Sequence, residues 1–469
     1  MMTDNGAAVD LVVRGGTVAT ERWHGPADIW VSGAVVRAIV DRGTPLPDGS
    51  APRVVDAAGK LVLPGGVDPH CHVGFTSGAF TTLDDYAQAT TAAVHGGTTT
   101  IVDFAIPRPG GVPLDTARAQ RDKASAGFCD SALHACVIEW DDSMPDQLDT
   151  LVEEGIVTVK MFTTYRGETM ANADTLHRVI KHLGRIGGMA VIHCEANHIV
   201  EGAQGDCAAG PGIDPHHHHH SRPEIAETAS VAELIAMAES TGAPIYFVHQ
   251  STAAAVDLVA DARRRGVAAF TESVVHHLVL DETVYDGPDA ELYVCCPPLR
   301  PRSAVTELQR RVFSGEVSTI GSDHCCYDTA QKRTTDDVRD MPNGLPGVET
   351  RLPVFFSEFV IGLGLSLERF VQLTASNPAR LNGIYPQKGT ISPGSDADLV
   401  IWDPTLSREV RIDDLHMATD YTPYEGRVVT GWPVTTIVRG NVVVEDGAFA
   451  AGDPIGRHVV AQGPSLALC

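Results

Sequence analysis

The stretch Pro64-Gly65-Gly66-Val67-Asp68-Pro69-His70-Cys71-His72-Val73 decides how the rest of the chain is read. An apolar run, Leu61 to Leu63, leads into a turn-prone PGG, and two histidines follow one residue apart. In extended backbone alternate side chains share a face, so both imidazoles point to the same side. That is the geometry of a metal pincer, because neutral imidazole suits zinc and similar ions. A catalytic site then needs at least one more ligand and room for water. Taken alone, H-x-H also describes two partly exposed loop histidines. Company elsewhere in the chain separates the two readings.

Moving outward, residues 62–393 alternate apolar strand-like runs with longer helical patterns, the signature of parallel β/α architecture. Eight strand candidates end near His70, Phe104, Glu139, Phe162, His193, His249, Thr271 and Asp323. Helix-like segments at 114–126, 173–186, 224–240, 251–265 and 302–313 lie between them. Eight strands predict a closed (β/α)8 barrel of the TIM type, in which chemistry gathers where strands end. Those ends carry four histidines (His70, His72, His193, His249), Lys160 and Asp323. A lysine inside the apolar strand Val159-Lys160-Met161-Phe162 is costly to bury as a free cation, and snorkelling or pairing is its plain explanation.

Both ends of the chain have a different texture. Residues 9–14, Asp28–Val31 and Val35–Val40 read as short strands, as do 397–402, 435–438 and 441–444. Neither half makes a core alone, so both are expected to form one small β-sandwich. The expected division is 1–61 and 394–450 for the sandwich, 62–393 for the barrel and 451–469 for a carboxyl-terminal tail.

Composition narrows the partners. At 469 residues with a net charge of −25, the chain would repel phosphate backbones and anionic lipid, so nucleic acid and membrane are excluded and a small neutral substrate fits better. The start, Met1 to Gly6, lacks the basic and apolar regions of a signal peptide, and no apolar stretch is long enough to span a bilayer. A soluble cytoplasmic protein is expected. Its ten cysteines, with adjacent pairs at 295–296 and 325–326, should be reduced and mostly buried, without a disulfide framework. The run His216 to His220 reads as a solvated loop, with adventitious metal binding as the alternative.

With these residues assembled, the chain resembles the dihydropyrimidinase and hydantoinase family of the amidohydrolase superfamily. The resemblance runs from LVVRGGTV at 11–18 through PGGVDPHCHV, GGTTTIVDFAIP at 96–107, VKMFTTYRG at 159–167, GSDHC at 321–325 and PNGLPGVETR at 342–351. It continues in NPARLNGIYPQKGTISPGSDADLVIWDP at 377–404 and YTPYEGRVVTG at 421–431. It implies two divalent metal ions, expected to be zinc, one held by His70, His72 and Asp323 and the other by His193 and His249. Lys160, carboxylated by carbon dioxide, would bridge them. Tyr165 would face the substrate carbonyl, Cys296 and Asn343 would offer main-chain groups to the ring amide, and Asp323 would also move the proton. Leu299-Arg300 and Glu349 are expected to support loops and pairing. The implied reaction is opening of a hydantoin or dihydropyrimidine ring to an N-carbamoyl amino acid, in a homotetramer or homodimer.

The chain also departs from the family pattern. Cys296 sits in CCPPLR where many relatives have serine, Gly74 to Thr81 (GFTSGAFT) differs from the usual methionine-proline-rich loop, and Thr169 replaces a frequent aromatic. These bear on substrate choice. Allantoinase or dihydroorotase activity is the enzymatic alternative, although the arginine that dihydroorotases carry soon after the second histidine is replaced here by Val73, Gly74 and Phe75. A non-catalytic homologue like the collapsin response mediator proteins would lack the metal ligands.

Overall fold

A computed structural model describes residues 8–469, so the expectation for Met1 to Gly6 lies outside the described residues. The first histidine pair ends the strand Gly66–His72, which is buried throughout. Eight further strands join it in a curled, all-parallel sheet. The order is Thr319–Gly321, Ala269–Val274, Ile245–Phe247, Met189–His193, Thr158–Phe162, Asp130–Cys136, Thr98–Ala105, Gly66–His72 and His324–Cys325. The outermost strands are separated in the chain only by Ser322 and Asp323.

Strands buried on both faces carry no polar alternation, which is why they read as apolar runs. The expected helices appear as Pro113–Asp122 with a 3-10 turn, Ala173–Ile186, Glu224–Thr241, Ala253–Arg264 and Arg302–Ser314. In Ala173–Ile186 the Asn172 side chain accepts from Thr175 N, a cap of about 1 kcal/mol. Leu176, Val179, Ile180 and Leu183 form its buried stripe. They pack in one core with Met161 and Ile192 from the sheet, each buried side chain contributing roughly 2 kcal/mol. Two strand ends differ from expectation: one stops at Cys136, short of Glu139, and another continues past Thr271 to Val274.

The PGG segment is not a turn. Pro64 ends one strand and Gly66 starts the next. Gly65, between them, packs closely on the strand Thr98–Ala105: a Cβ there would lie 1.9 Å from Thr99 Oγ1.

The β-rich region draws on both chain ends. A seven-stranded sheet has the order Ala448–Phe449, Asn441–Glu445, Val428–Val438, Leu399–Glu409, Leu61–Pro64, Thr17–Ala19 and His24–Pro26. A four-stranded sheet contains Val35–Val40, Asp28–Ser32, Leu11–Arg14 and Arg53–Asp56. Leu11, Val13 and Ile29 of the smaller sheet share a core with Val62, Leu399 and Ile401 of the larger. The tail lies along the nine-stranded sheet, where Val459 N bonds Ser131 O at 2.7 Å and Ser131 N bonds Arg457 O at 2.9 Å.

The His216–His220 run is not a solvated loop. It forms the 3-10 turn Pro215–His217 and the short helix His218–Ser221. Of the five only His218 is buried, with Nε2 2.7 Å from Cys295 O; the exposed His216 has Nδ1 2.6 Å from Tyr285 O, and the His219 ring stacks on Tyr285. The ten cysteines are all free thiols, and only Cys469 is exposed. Among the described residues no helix is long and apolar enough to cross a membrane.

Candidate metal centre and active site

The carboxyl ends of the strands converge on one cleft. It is lined by all six expected metal ligands, His70, His72, Lys160, His193, His249 and Asp323, together with Tyr165, Cys296 and Asn343. Phe75, Ser77, Phe162, Glu168 and Thr169 also line it, with Cys325 and Gly344. Ser77 belongs to a two-stranded hairpin, Thr76–Ser77 with Phe80–Thr81, that the GFTSGAFT segment forms.

On one side His70 Nε2 lies 3.0 Å and His72 Nε2 3.4 Å from Asp323 Oδ1. Asp323 is placed by its neighbours, for Ser322 N donates to Asp68 Oδ1 at 3.0 Å and Ser322 Oγ to His70 O at 3.0 Å. On the other side His193 Nδ1 and His249 Nε2 are 2.9 Å apart. The His70 and His249 rings, one from each side, have centroids 5.3 Å apart.

The outer nitrogens are held by carboxylates, which decides which nitrogens face the centre. His70 Nδ1 is 2.7 Å from Glu272 Oε1, and His193 Nε2 is 2.7 Å from Glu195 Oε2. A carboxylate accepts and cannot donate, so each imidazole places its proton outward and aims a lone pair inward. Glu272 also accepts from His249 N at 3.0 Å and Tyr246 OH at 2.9 Å, while Glu195 is paired with the buried Arg222. His134 faces the same interior, yet both its nitrogens are engaged, by Thr158 Oγ1 at 2.8 Å and Pro69 O at 3.0 Å. It is no ligand.

These contacts test whether the residues fit a metal pair. The inward nitrogens of His193 and His249 face each other at 2.9 Å, and His70 Nε2 faces the Asp323 carboxylate at 3.0 Å. His70, His72 and Asp323 each bring one ligand atom within 4.8 Å of the other two. Imidazoles and a carboxylate gathered in this way fit divalent cations.

Charge balance in the cleft is unusual. Burial lowers the Lys160 ammonium to about 8 against the pull of Asp323 and Glu272, and its Nζ sits 4.8 Å from both the Phe104 and Phe162 rings. Burial also lowers His72 to about 4 and holds His193 and His249 below their ordinary value. At His70 burial is outweighed by Asp323 and Glu272, which raise it to about 9, so that without a cation its inward nitrogen takes up a second proton, one that a metal ion there would displace. Burial would raise Asp323, but His70 and the other imidazoles drive it well down, so it is a carboxylate at neutral pH.

Backbone strain concentrates here as well. Tyr165 (φ 69°), His249 (φ 38°) and Asp323 (φ 50°) adopt left-handed backbone, and among the described non-glycine residues only Arg439 and Asp446 do the same. Such conformations persist where surrounding structure imposes them, often at functional sites. Three amides, of Glu168, Thr169 and Met170, bond Tyr165 O at 3.0–3.2 Å and fix the turn. The Tyr165 ring lies 5.5 Å from that of His193, with the Arg222 guanidinium 5.0 Å from the tyrosine ring centre.

Sequence reasoning did not assign Glu272, Glu195 or Arg222. Glu195 had a visible signal, since i and i+2 share a face after a strand. Arg300 supports a loop as expected, bonding Ser251 Oγ at 3.0 Å and Arg222 O at 2.7 Å, and Glu349 pairs with His416 Nδ1 at 2.9 Å.

The chain is similar over nearly its whole length to known proteins. The Amidohydrolase family model matches residues 61–443. The dihydropyrimidinase of Rattus norvegicus is 36% identical over 461 residues, covering 96% of this chain and 89% of its own. The D-hydantoinase of Ralstonia pickettii is 36% identical over 452 residues, covering 95% of this chain and 97% of its own. The crystal structure of dihydropyrimidinase from Brevibacillus agri NCHU1002 superposes with a TM-score of 0.93 at 34% identity, covering 97% of this chain and 99% of that one. Because the family match spans most of the chain and the curated relatives align nearly end to end, this protein belongs to the amidohydrolase family, in its dihydropyrimidinase and hydantoinase branch.

Proposed function

We propose that this protein is a metal-dependent cyclic amidohydrolase that opens an uncharged hydantoin or dihydropyrimidine ring to an N-carbamoyl amino acid. The observation that carries this reading is the convergence of six metal-ligand candidates with Tyr165, Cys296 and Asn343 on one cleft. His70, His72 and Asp323 would hold one divalent ion, and His193 and His249 the other, both zinc, with N6-carboxylated Lys160 between them. A lysine near pKa 8 has a neutral fraction of roughly a tenth at pH 7, and its amine can add to carbon dioxide with loss of one proton. When bound, such ions supply Lewis acidity and a water of lowered pKa.

The chain's own groups do the remaining work. Asp323, ionised and at the cleft, accepts the proton of the attacking water and passes it to the leaving ring nitrogen. The Tyr165 hydroxyl donates to the carbonyl oxygen as negative charge develops there. Main-chain groups of Cys296 and Asn343 orient the ring amide. The Cys296 thiol is itself bonded to Asn343 Oδ1 at 3.1 Å, which leaves the main-chain role independent of the serine-to-cysteine exchange.

A neutral ring is favoured because the nearby arginines are committed elsewhere. Arg166 is paired with Glu201 at 2.9 Å, and Arg300 bonds Ser251 and Arg222 O. A ring carboxylate would lose hydration without a paired cation from this wall. Thr169 in place of an aromatic makes room for a bulky 5-substituent.

The proximity of Thr319–Gly321 and His324–Cys325 in the chain supports a closed (β/α)8 barrel over 62–393, with a β-sandwich from 1–61 and 394–450 and a tail from 451. The proposed protein is cytoplasmic, in keeping with its free thiols, and a homotetramer or homodimer. Timing ring opening of hydantoin, a 5-aryl hydantoin, dihydrouracil, allantoin and dihydroorotate at matched concentration tests the reading. Fastest turnover is expected for a hydantoin or dihydrouracil; fastest turnover of dihydroorotate or allantoin would overturn it.

A further inference from the structure

The turn that positions Tyr165 also sets a carboxylate at the mouth of the cleft. In Tyr165-Arg166-Gly167-Glu168 the Glu168 amide donates to Tyr165 O at 3.0 Å, and Gly167 (φ 84°) takes the left-handed third position. Closing the turn holds the Cα atoms of Tyr165 and Glu168 within about 7 Å of each other. Glu168 is exposed, and among the described residues its carboxylate has no hydrogen bond or ion pair.

A second cleft, of about 380 Å³, adjoins the first, and Ser77, Tyr165, Glu168 and Asn343 line both. The catalytic cleft itself holds about 90 Å³. That is well under the roughly 300 Å³ at which pockets begin to enclose a drug-sized ligand, so a long 5-substituent has to leave it. Phe80, Val200, Met341 and Pro342 give the second cleft apolar surface along which a methylene chain can lie. Its charged side chains are Arg166, Glu168, Glu201, Arg222, Arg339 and Asp340. Each arginine is committed to a carboxylate: Arg166 to Glu201 at 2.9 and 3.1 Å, Arg222 to Glu195, and Arg339 to Asp337 at 2.9 and 3.1 Å. Asp340 acts on Arg339. The charge left without a partner at the junction of the two clefts is therefore negative, and it is that of Glu168.

We propose that Glu168 selects rings whose 5-substituent is an alkyl arm ending in a cation, so that ring opening yields an N-carbamoyl amino acid with a basic side chain. The inference rests on the reading of the cleft as a cyclic amidohydrolase site and adds the class of 5-substituent. With the ring held between Tyr165 and Asn343, the arm leaves along the apolar wall and its ammonium or guanidinium meets the carboxylate. An anionic arm taking the same path is repelled. The chain's net charge of −25 favours the approach of a cationic substrate as well. Because Glu168 is exposed, the pair contributes up to about fivefold.

The test compares kcat/KM for rings with arms of similar length: 5-(4-aminobutyl)hydantoin, 5-pentylhydantoin and 5-(3-carboxypropyl)hydantoin. An alkylamine that titrates near pH 10 keeps the first cationic in a neutral assay. In the wild type the aminobutyl ring should be preferred over the pentyl ring, and the carboxypropyl ring should be poorest. Glu168→Gln should lower the aminobutyl-to-pentyl ratio about fivefold. Glu168→Lys should place the carboxypropyl ring ahead of the aminobutyl ring. Each ratio is taken within one protein, so a loss of folded enzyme cancels. Raising the salt from about 0.1 M to about 1 M should shrink the wild-type preference, because the screening length falls from about 10 Å to about 3 Å. Ring opening with an equal ratio in the wild type and Glu168→Gln, or with a wild-type preference for the pentyl or carboxypropyl ring, would overturn the proposal alone. Failure of the wild type to open any of these rings or hydantoin itself would overturn the reading of the cleft, and the proposal with it.

Discussion

Two histidine-rich regions of this molecule behave in opposite ways. His70, His72, His193 and His249 are scattered through the sequence, yet strand ends bring them to one cleft, with the outer nitrogens of His70 and His193 held by carboxylates. His216 to His220 are contiguous, yet their rings go to separate partners: His216 to Tyr285 O, His217 to Asp214, His218 to Cys295 O. A metal centre needs convergent lone pairs with their outer nitrogens held. Local density supplies neither.

The largest effect should come from the convergent region. Lys160→Ala removes the proposed bridge and should lower turnover on the order of 10³-fold or more, since metal-derived stabilisation is worth several kcal/mol. A short carboxylic acid added to the assay should restore part of it. Full activity without metal loss in Lys160→Ala would end the bridging assignment.

Tyr165→Phe comes next. Loss of one donor to the developing oxyanion should cost about 10²–10³-fold in kcat, with metal content unchanged. The result separates a group acting on the substrate from one acting on the ions, and a change of less than about twofold would reduce Tyr165 to packing.

Glu272→Gln probes the carboxylates behind the imidazoles. An amide can present its NH₂ to His70 Nδ1 and so allow the wrong nitrogen to carry the proton, which should weaken metal binding about 10–100-fold. Chelator competition monitored by metal content would measure this, and an unchanged affinity would mean that Glu272 merely fills space.

The smallest effect belongs to the contiguous run. Burial lowers His218 to about 3 despite its bond to Cys295 O, so the folded state keeps this ring neutral where the unfolded chain takes up a proton. Stability from His218 is therefore fully present above about pH 6.5 and is lost as pH falls towards 3, by up to about 1.4 kcal/mol per pH unit. His218→Asn should flatten this acid-side slope in denaturant titrations while leaving turnover and metal content in the cleft unchanged. An unaltered slope would remove His218 from the acid sensitivity.

Much of this contrast was legible in the sequence, and the failures have identifiable causes. The ligand candidates were visible because a polar residue at the end of an apolar strand has few structural explanations. Glu272 was missed because the strand was read as ending at Thr271; it runs to Val274, which puts the glutamate inside the sheet beside His70. The histidine run was misread in part: His216 and His220 are exposed, but the run is helical, and His218 is buried against Cys295, far along the chain and invisible to local composition. The β texture at both chain ends pointed to one unit, but the pairing of Leu61–Pro64 with Leu399–Trp402 that joins them carries no local mark.

The most direct test of the account is anomalous diffraction at the zinc edge from crystals of the purified full-length protein. Two peaks are expected in the cleft, one among His70, His72 and Asp323 and one at His193 and His249, with density for a carboxylated Lys160 between them and no peak at His216 to His220. An empty cleft, or a peak held by the contiguous run in its place, would contradict the account.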